Sequence, residues 1–318
     1  MTTMSLSQPS TTSRRRPDPT ARSGAALYRR WWVPLLWTAP TVVLIAVFGI
    51  FPFLNTVVLS FSNARPLGGG RLIGTANYER MFADPAFWQA TGNSIFYAIV
   101  AVPLLVLLPL LLAQLVMKHA PGIGFFRTAF YMPVIASMVA VALVWQNLFA
   151  DRGPINTALA QIGLIDSPIP FLSDGTLLLL CSIALTVWKG LGWYMIFYLA
   201  ALANVPKELH EAAELDGAGA IRRFFSITVP GVKLTMLLVA IMAGTGSLRV
   251  FTEIYVLGGA TGGVGGEART LPFYIRDAAF DPISGSTGYG SAVSVALFVL
   301  TIGLAIAAHK LSGKQDER

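Results

Sequence analysis

The sequence predicts an all-α integral membrane protein with six transmembrane helices. Of its 318 residues, 54% are hydrophobic and only 12% are charged, about half the charged share of an average soluble domain. The mean hydropathy is +0.63. The apolar residues also gather into runs of about 20, the length that an α-helix needs to cross a bilayer. These three observations exclude a water-soluble globule.

Six apolar runs have this length and therefore define the predicted spans. Four of the runs carry no charge, while the fourth holds Lys189 and the fifth holds Arg249 and Glu253. The runs cover residues 33–59, 95–117, 128–150, 176–203, 234–257 and 290–308.

The distribution of basic residues predicts the orientation of the spans. With the N-terminus inside, the cytoplasmic segments hold 15 Lys and Arg residues and the external segments hold 6. Cytoplasmic loops carry such an excess of basic residues. Both termini are therefore predicted to be cytoplasmic.

The first 25 residues differ in composition from the rest of the chain. Residues 1–25 are rich in Ser, Thr, Pro and Arg, which predicts a disordered cytoplasmic tail. The first apolar run is longer than the core of a signal peptide, so we expect it to remain as an anchor. Residues 26–318 are then the transmembrane domain, with a cytoplasmic loop at residues 204–231.

Composition also excludes several kinds of site. Cys181 is the single cysteine and cannot form an internal disulfide. His119, His210 and His309 are far apart and have no metal-ligand spacing, so no metal site is predicted. The pI of about 9.7 follows from the basic cytoplasmic segments and does not indicate a nucleic-acid partner.

The loop between the fourth and fifth spans is patterned rather than linker-like. Pro206 stands where a helix can begin, and residues 207–215 are good helix formers. Gly217 and Gly219 interrupt this segment. An apolar face follows, made by Ile221, Phe224, Phe225 and Ile227. A short surface helix, a glycine turn and a second amphipathic segment suit docking to a soluble partner.

This loop resembles the signature of binding-protein-dependent ABC importer permeases, which is E-A-A, three residues, G, nine residues and I-x-L-P. Val229 stands where the signature has leucine. The resemblance implies a coupling helix that docks into a groove of an ATPase subunit. The implied coupling residues are Glu211, Ala212, Ala213, Asp216, Gly217, Ile227 and Pro230.

Four further stretches resemble the first permease subunit of maltose and glycerol-3-phosphate importers. They are residues 74–88, 127–156, 187–202 and 288–298. The resemblance implies the type I ABC importer permease fold in the plasma (inner) membrane. It also implies a second homologous permease, two copies of an ATPase subunit and an external binding protein as partners. The chain has no G-x-x-x-x-G-K-[ST] phosphate loop, so we expect the partner ATPase to bind ATP and Mg. This subunit is then expected to hold no cofactor and not to be an enzyme.

Candidate pathway residues lie within the fourth span. A charge such as Lys189 is costly at membrane depth and faces a bundle interior or a wet cavity. Lys189 is either a pathway residue or a structural lysine that holds helix termini or a neighbouring acid. In the pathway interpretation, Trp193 and Tyr194 are able to stack on a sugar ring, and Gly190 and Gly192 loosen the helix.

The fifth span offers three more candidates. Arg249 and Glu253 are spaced i, i+4, so they are expected to share a helix face and to form either a self-neutralising pair or part of the pathway. Tyr255 belongs to an aromatic-rich stretch with Phe251 that is helix packing or ligand contact. The glycine-rich residues 258–290 are expected to form a flexible external surface that receives the binding protein, or a solvated connection.

The function that follows is import of a mono-, di- or oligosaccharide by alternating access, driven by the partner ATPase. The alternative solute is glycerol 3-phosphate or another polyol phosphate ester. A secondary carrier would need an internal repeat and several intramembrane acids; a membrane enzyme would need paired carboxylates or an activated nucleophile. The sequence has Glu253 as its sole intramembrane acid and neither of these arrangements.

Overall fold

A computed structural model describes residues 32–66, 68–117, 121–281 and 285–313. The predicted tail at residues 1–25 lies outside the described residues. The chain divides into two units, Met1–Asn55 and Thr56–Arg318. The described residues of the first unit, 32–55, all belong to helix α1 (Trp32–Ser60), whose last residues lie in the second unit. Helix α1 contains a π-helical turn at Ala46–Ile50.

The described residues of the second unit are helical and contain no β-strand. Four helices are long and apolar enough to cross a membrane, and six spans result if each of two bent helix pairs is one span. After α1, the helices in chain order are α2 (Ala76–Ala83), α3 (Pro85–Val116), α4 (Ile123–Ile135), α5 (Met138–Phe149), α6 (Pro154–Gln161), α7 (Gly175–Leu202), α8 (Lys207–Leu215), α9 (Ala220–Gly231), α10 (Lys233–Leu248), α11 (Thr252–Gly258), α12 (Leu271–Phe280) and α13 (Thr287–Gly313).

Helix α3 begins about ten residues before the predicted second span. Asp84 is its N-cap, and the Asp84 carboxylate accepts a hydrogen bond of 2.9 Å from the backbone N–H of Ala86. Pro85 occupies the first turn, where its missing N–H costs nothing. This cap and proline extend the helix beyond the apolar run from which the span was predicted.

The predicted third span is broken rather than straight. Helices α4 and α5 are separated at Ala136 and Ser137, whose backbone is extended, and the chain bends by 98° there. Pro133 lies in the last turn of α4, and because proline has no N–H, the helical hydrogen bond to the carbonyl of Ala129 is missing and this turn is weakened. A second bend, of 73°, separates α9 from α10 at Val232.

The core of the second unit lies where α3 packs against α7 and α10, with α13 packed on α10 and α12. Its largest fully buried side chains are shared among three clusters that run along the bundle. They include Tyr97, Leu185, Ile254 and Phe273 in the first, Leu110, Met195 and Tyr198 in the second, and Met81, Leu271 and Tyr289 in the third.

Candidate functional site

Three of the six predicted pathway residues line one cavity. Lys189, Trp193 and Tyr194, all on α7, face a cavity of about 290 Å³ that α3, α4, α5 and α10 complete. Thr186 and Ser247 also line it. The Ser247 hydroxyl is buried and has no hydrogen-bond partner within the described part of the chain. The structure thus gathers a cation, two aromatic rings and two hydroxyls at one place.

The Lys189 ammonium caps the broken end of α4. Nζ donates hydrogen bonds to three backbone carbonyls, those of Pro133 at 2.8 Å, Val134 at 3.1 Å and Ala136 at 2.8 Å. The last carbonyls of a helix have no partner within the helix. These contacts are those of a structural lysine that holds a helix terminus.

Gly192 explains how α7 comes close enough for this contact. A Cβ atom at Gly192 would overlap the backbone carbonyl of Phe130 on α4. Glycine therefore permits the two helices to touch backbone to backbone. Helix α7 is continuous from Gly175 to Leu202, so Gly190 and Gly192 do not break it, and Gly192 permits the close approach to α4.

The predicted i, i+4 relationship of Arg249 and Glu253 is also wrong. Helix α10 ends at Leu248, Val250 and Phe251 are non-helical, and α11 begins at Thr252. The two side chains therefore do not share a helix face. Arg249 is exposed, whereas Glu253 is buried.

Glu253 belongs instead to a hydrogen-bonded chain inside the bundle. Thr186 donates to Glu253 Oε1 at 3.2 Å, and the Thr186 hydroxyl lies 2.7 Å from the Tyr97 hydroxyl. The Tyr97 hydroxyl also lies 2.9 Å from the carbonyl of Ser182, so its single proton is shared between that carbonyl and Thr186. Sequence reasoning missed Tyr97 and Thr186, although Thr186 precedes Lys189 by three residues and so lies on the same helix face.

Tyr255 does not line the cavity. Its ring stacks on Phe251 with centroids 5.4 Å apart, and the guanidinium of Arg276 lies 5.1 Å from its centroid. Arg276 also contacts the ring of Phe273 at 4.8 Å. These contacts are those of aromatic packing under a cation.

The predicted coupling loop contains a well-defined helix end. Helix α8 ends in a Schellman motif, in which Ala218 N–H donates to the carbonyl of Ala213 at 2.8 Å and Gly217 N–H donates to that of Glu214 at 3.0 Å. Gly217 has φ +77°, the left-handed conformation that this motif requires. The rest of the loop folds back as α9, and the Arg223 guanidinium pairs with Glu214 at 2.6 Å.

The loop presents apolar side chains at its surface. Leu215 is 90% exposed, and Leu209, Ile221 and Phe225 are exposed with it. We call these four residues the loop patch. Of the implied coupling residues, Glu211, Ala212, Asp216, Gly217 and Pro230 are exposed, and Ala213 and Ile227 are half-buried.

The opposite end of α3 carries a polar cluster. The Asp84 carboxylate accepts hydrogen bonds from the hydroxyls of Tyr274 at 2.5 Å and Tyr289 at 3.0 Å. Burial favours a higher pKa for Asp84, but the two hydroxyls, the Ala86 N–H and the nearby Arg80 outweigh it and lower that pKa below its ordinary value. Burial and the bond to Asp84 both raise the pKa of Tyr274.

The glycine-rich segment after α11 is folded against α3. The Asn93 amide donates to the carbonyls of Glu267 at 2.7 Å and Arg269 at 2.8 Å, and Leu271 N–H donates to Ser94 Oγ at 2.8 Å. Helix α12 follows directly. The described part of residues 258–290 is therefore a packed surface rather than a loose connection.

A bundle of apolar helices, four of them long and apolar enough to cross a bilayer, defines a membrane-embedded helical protein. The chain belongs to the family described as binding-protein-dependent transport system inner membrane components, whose model matches residues 81–312.

Two relatives and one solved structure illustrate this membership. The chain is 34% identical to the lactose transport system permease of Rhizobium radiobacter over 83% of this chain and 89% of that protein. It is 29% identical to the arabinooligosaccharides transport system permease of Bacillus subtilis (strain 168), over 90% of each. A chain of a bacterial ABC transporter involved in the import of the acidic polysaccharide alginate matches with a TM-score of 0.77, 22% identity and coverage of 92% of this chain and 99% of that one. The last likeness supports the fold alone.

Proposed function

We propose that this chain is the permease subunit of an ATP-driven ABC importer that moves a carbohydrate across the plasma membrane by alternating access. Its family membership supports the importer class. Two relatives, the permeases of a lactose and an arabinooligosaccharide transport system, are named for carbohydrate solutes. The solute proposed here is accordingly a mono-, di- or oligosaccharide.

The importer assignment depends most on one observation, the exposure of apolar side chains on the α8–α9 loop. The Schellman motif at Gly217 fixes the end of helix α8, and the four apolar side chains of the loop patch are exposed. Exposed apolar patches of this kind mark interaction sites. The partner is an ATPase subunit, present in two copies, that binds ATP and Mg, and a second permease and an external binding protein complete the complex.

The orientation is proposed from charge. The loop containing α8 carries Lys207, Arg222, Arg223 and Lys233, and the excess of basic residues places it in the cytoplasm with both termini. Six spans result when α4 and α5 cross the membrane as one bent span and α10 crosses it after the cytoplasmic helix α9. The Asp84 cluster then lies at the external side.

The cavity favours a neutral sugar over a phosphate ester. An ammonium group has three N–H donors, and the three donors of Lys189 have three carbonyl acceptors. Arg249 is not among the residues that line the cavity. Trp193 and the Ser247 hydroxyl remain for a sugar ring and its hydroxyls.

Cysteine cross-linking tests the ATPase assignment. On helix α8, Glu214 and Leu215 are exposed, whereas His210 is half-buried. In the assembled complex, Glu214→Cys and Leu215→Cys should cross-link to the ATPase to an extent that varies with nucleotide, and His210→Cys should cross-link less. The native Cys181 is buried and provides the background. Copurification without any ATPase, or equal cross-linking at all three positions in every nucleotide state, would contradict the assignment.

Transport assays test the solute class. The complex is reconstituted in proteoliposomes with its binding protein, and ATP hydrolysis and uptake are measured with lactose, an arabino-oligosaccharide and glycerol 3-phosphate. We expect stimulation by a neutral sugar. Stimulation by the phosphate ester alone would replace the carbohydrate proposal with the polyol phosphate alternative.

A further inference from the structure

A second cavity lies at the end of the bundle where α3 and α7 end. Its volume is about 710 Å³, within the range of sites that hold small molecules. The ends of the two long helices form one side, and the start of α4 and the first turn of α8 form the other. We call it the α8 cavity.

Four polar side chains converge on the α8 cavity, namely Gln114, Arg127, Lys207 and His210. Arg127 is held in place because its Nε and Nη2 donate to the carbonyl of Val116 at 3.1 and 2.7 Å. A guanidinium has five N–H donors, so three remain. Lys207 and His210 are spaced i, i+3 and therefore lie on one face of α8.

The charge of the α8 cavity is positive. Arg127 and Lys207 line it, and no aspartate or glutamate does. Neither Lys207 nor His210 has an ion-pair or hydrogen-bond partner in the ranges that the structure describes. The cavity therefore offers cationic donors to an anion.

The remaining wall is apolar. Met117, Leu199 and Leu202 line the cavity; Met117 is the C-cap of α3 and the two leucines lie in the last turn of α7, and both helices are long and apolar enough to span a bilayer. A ligand there meets water on the side of α8 and hydrocarbon along α3 and α7. An anionic phospholipid has a headgroup and an acyl chain that suit these two environments.

We propose that the α8 cavity binds the phosphate headgroup of an anionic phospholipid, with Arg127, Lys207 and His210 as donors and an acyl chain along Met117 and Leu199. Basic pockets between membrane helices recognise such headgroups. The bound lipid joins the first turn of α8 to the ends of α3 and α7, and so holds the loop helix against the bundle. The proposal does not depend on which solute is carried.

The test compares lipids on the assembled, delipidated complex. Three additions are compared: phosphatidylglycerol, phosphatidylcholine with the same acyl chains, and inorganic phosphate. Thermal stability is measured by thermal unfolding, and retained lipid is measured by native mass spectrometry. We expect phosphatidylglycerol to bind and stabilise more than the other two. Lys207→Gln should weaken its apparent affinity about fivefold, the effect of one basic residue near an anionic surface.

A matched control and a second variant make the result decisive. Arg222→Gln removes one exposed cation from the same loop outside the α8 cavity and should leave affinity unchanged. Ala203→Phe keeps every charge but fills the cavity from an exposed lining position, and should reduce lipid retention even if Lys207→Gln fails to assemble. Equal loss in Lys207→Gln and Arg222→Gln, equal stabilisation by the two lipids, or full stabilisation by inorganic phosphate would each overturn the proposal.

Discussion

The ammonium of Lys189 on α7 lies 2.8 Å from the carbonyl oxygen of Ala136, at the break between α4 and α5. The same ammonium also bonds to the carbonyls of Pro133 and Val134. One side chain therefore satisfies carbonyls that a broken membrane helix would otherwise leave without partners. A backbone polar group without a partner costs several kcal/mol in lipid.

Replacing Lys189 with methionine should destabilise the complex rather than only slow transport. Hydrogen bonds to a charged group contribute about 2 kcal/mol, so we expect a lower melting temperature and less assembled complex, with uptake falling in parallel. Arg249→Gln is the control, because Arg249 is exposed and outside the cavity, and it should assemble normally. Normal assembly of Lys189→Met with selective loss of uptake would instead identify Lys189 as a pathway residue.

Gly192→Ala should separate α7 from α4. An added Cβ would overlap the Phe130 carbonyl, and a backbone atom cannot move aside as a flexible side chain can. We expect a loss of stability of about 1–3 kcal/mol, measured by thermal unfolding of the purified complex. Gly92→Ala on α3 meets no atom within 4 Å and should be neutral or slightly stabilising. Equal stability of the two variants would show that this close approach is unimportant.

Gly217→Val should leave membrane insertion intact and abolish stimulated ATP hydrolysis. The left-handed backbone at Gly217 costs a residue with a side chain about 1–2 kcal/mol, so the end of α8 and the loop patch would shift. Gly217→Asn should retain part of the activity, because asparagine tolerates this conformation. Gly219 has φ −64°, and Gly219→Ala should couple normally. ATPase assays with and without binding protein and solute measure the effect, and full coupling in Gly217→Val would disprove it.

The Asp84 cluster predicts a pH dependence of stability. A carboxylate whose folded pKa is lowered stabilises the fold above its ordinary value of 3.8, and this contribution is lost as the pH falls through the lower folded pKa. Asp84→Asn should therefore melt below the wild type at pH 7, and the difference should shrink below about pH 4. Asp174→Asn is the control, since Asp174 caps α7 and asparagine caps as well as aspartate. A difference between wild type and Asp84→Asn that does not change with pH would contradict this prediction.

The sequence predicted the features that follow from local chemistry. Each span predicted from an apolar run contains helix in the structure. A segment that crosses the bilayer must be apolar and must satisfy its backbone hydrogen bonds within itself, which a helix does. The residues 207–215 predicted α8 with its boundaries, because helix formers stand between a proline and a glycine. The family was also identified from the spacing of Glu211, Gly217 and Pro230.

Only the tertiary structure decided how these elements are broken and which polar groups meet. Pattern alone could not show that the third span bends at Ala136, because an apolar run looks the same whether its helix is straight or broken. The partners of Glu253 and Lys189 come from distant parts of the chain, so Thr186 and the α4 carbonyls could not be deduced from an i, i+4 spacing. Burial away from water makes an unpaired polar group costly, and the packed helices determine which partner such a group finds.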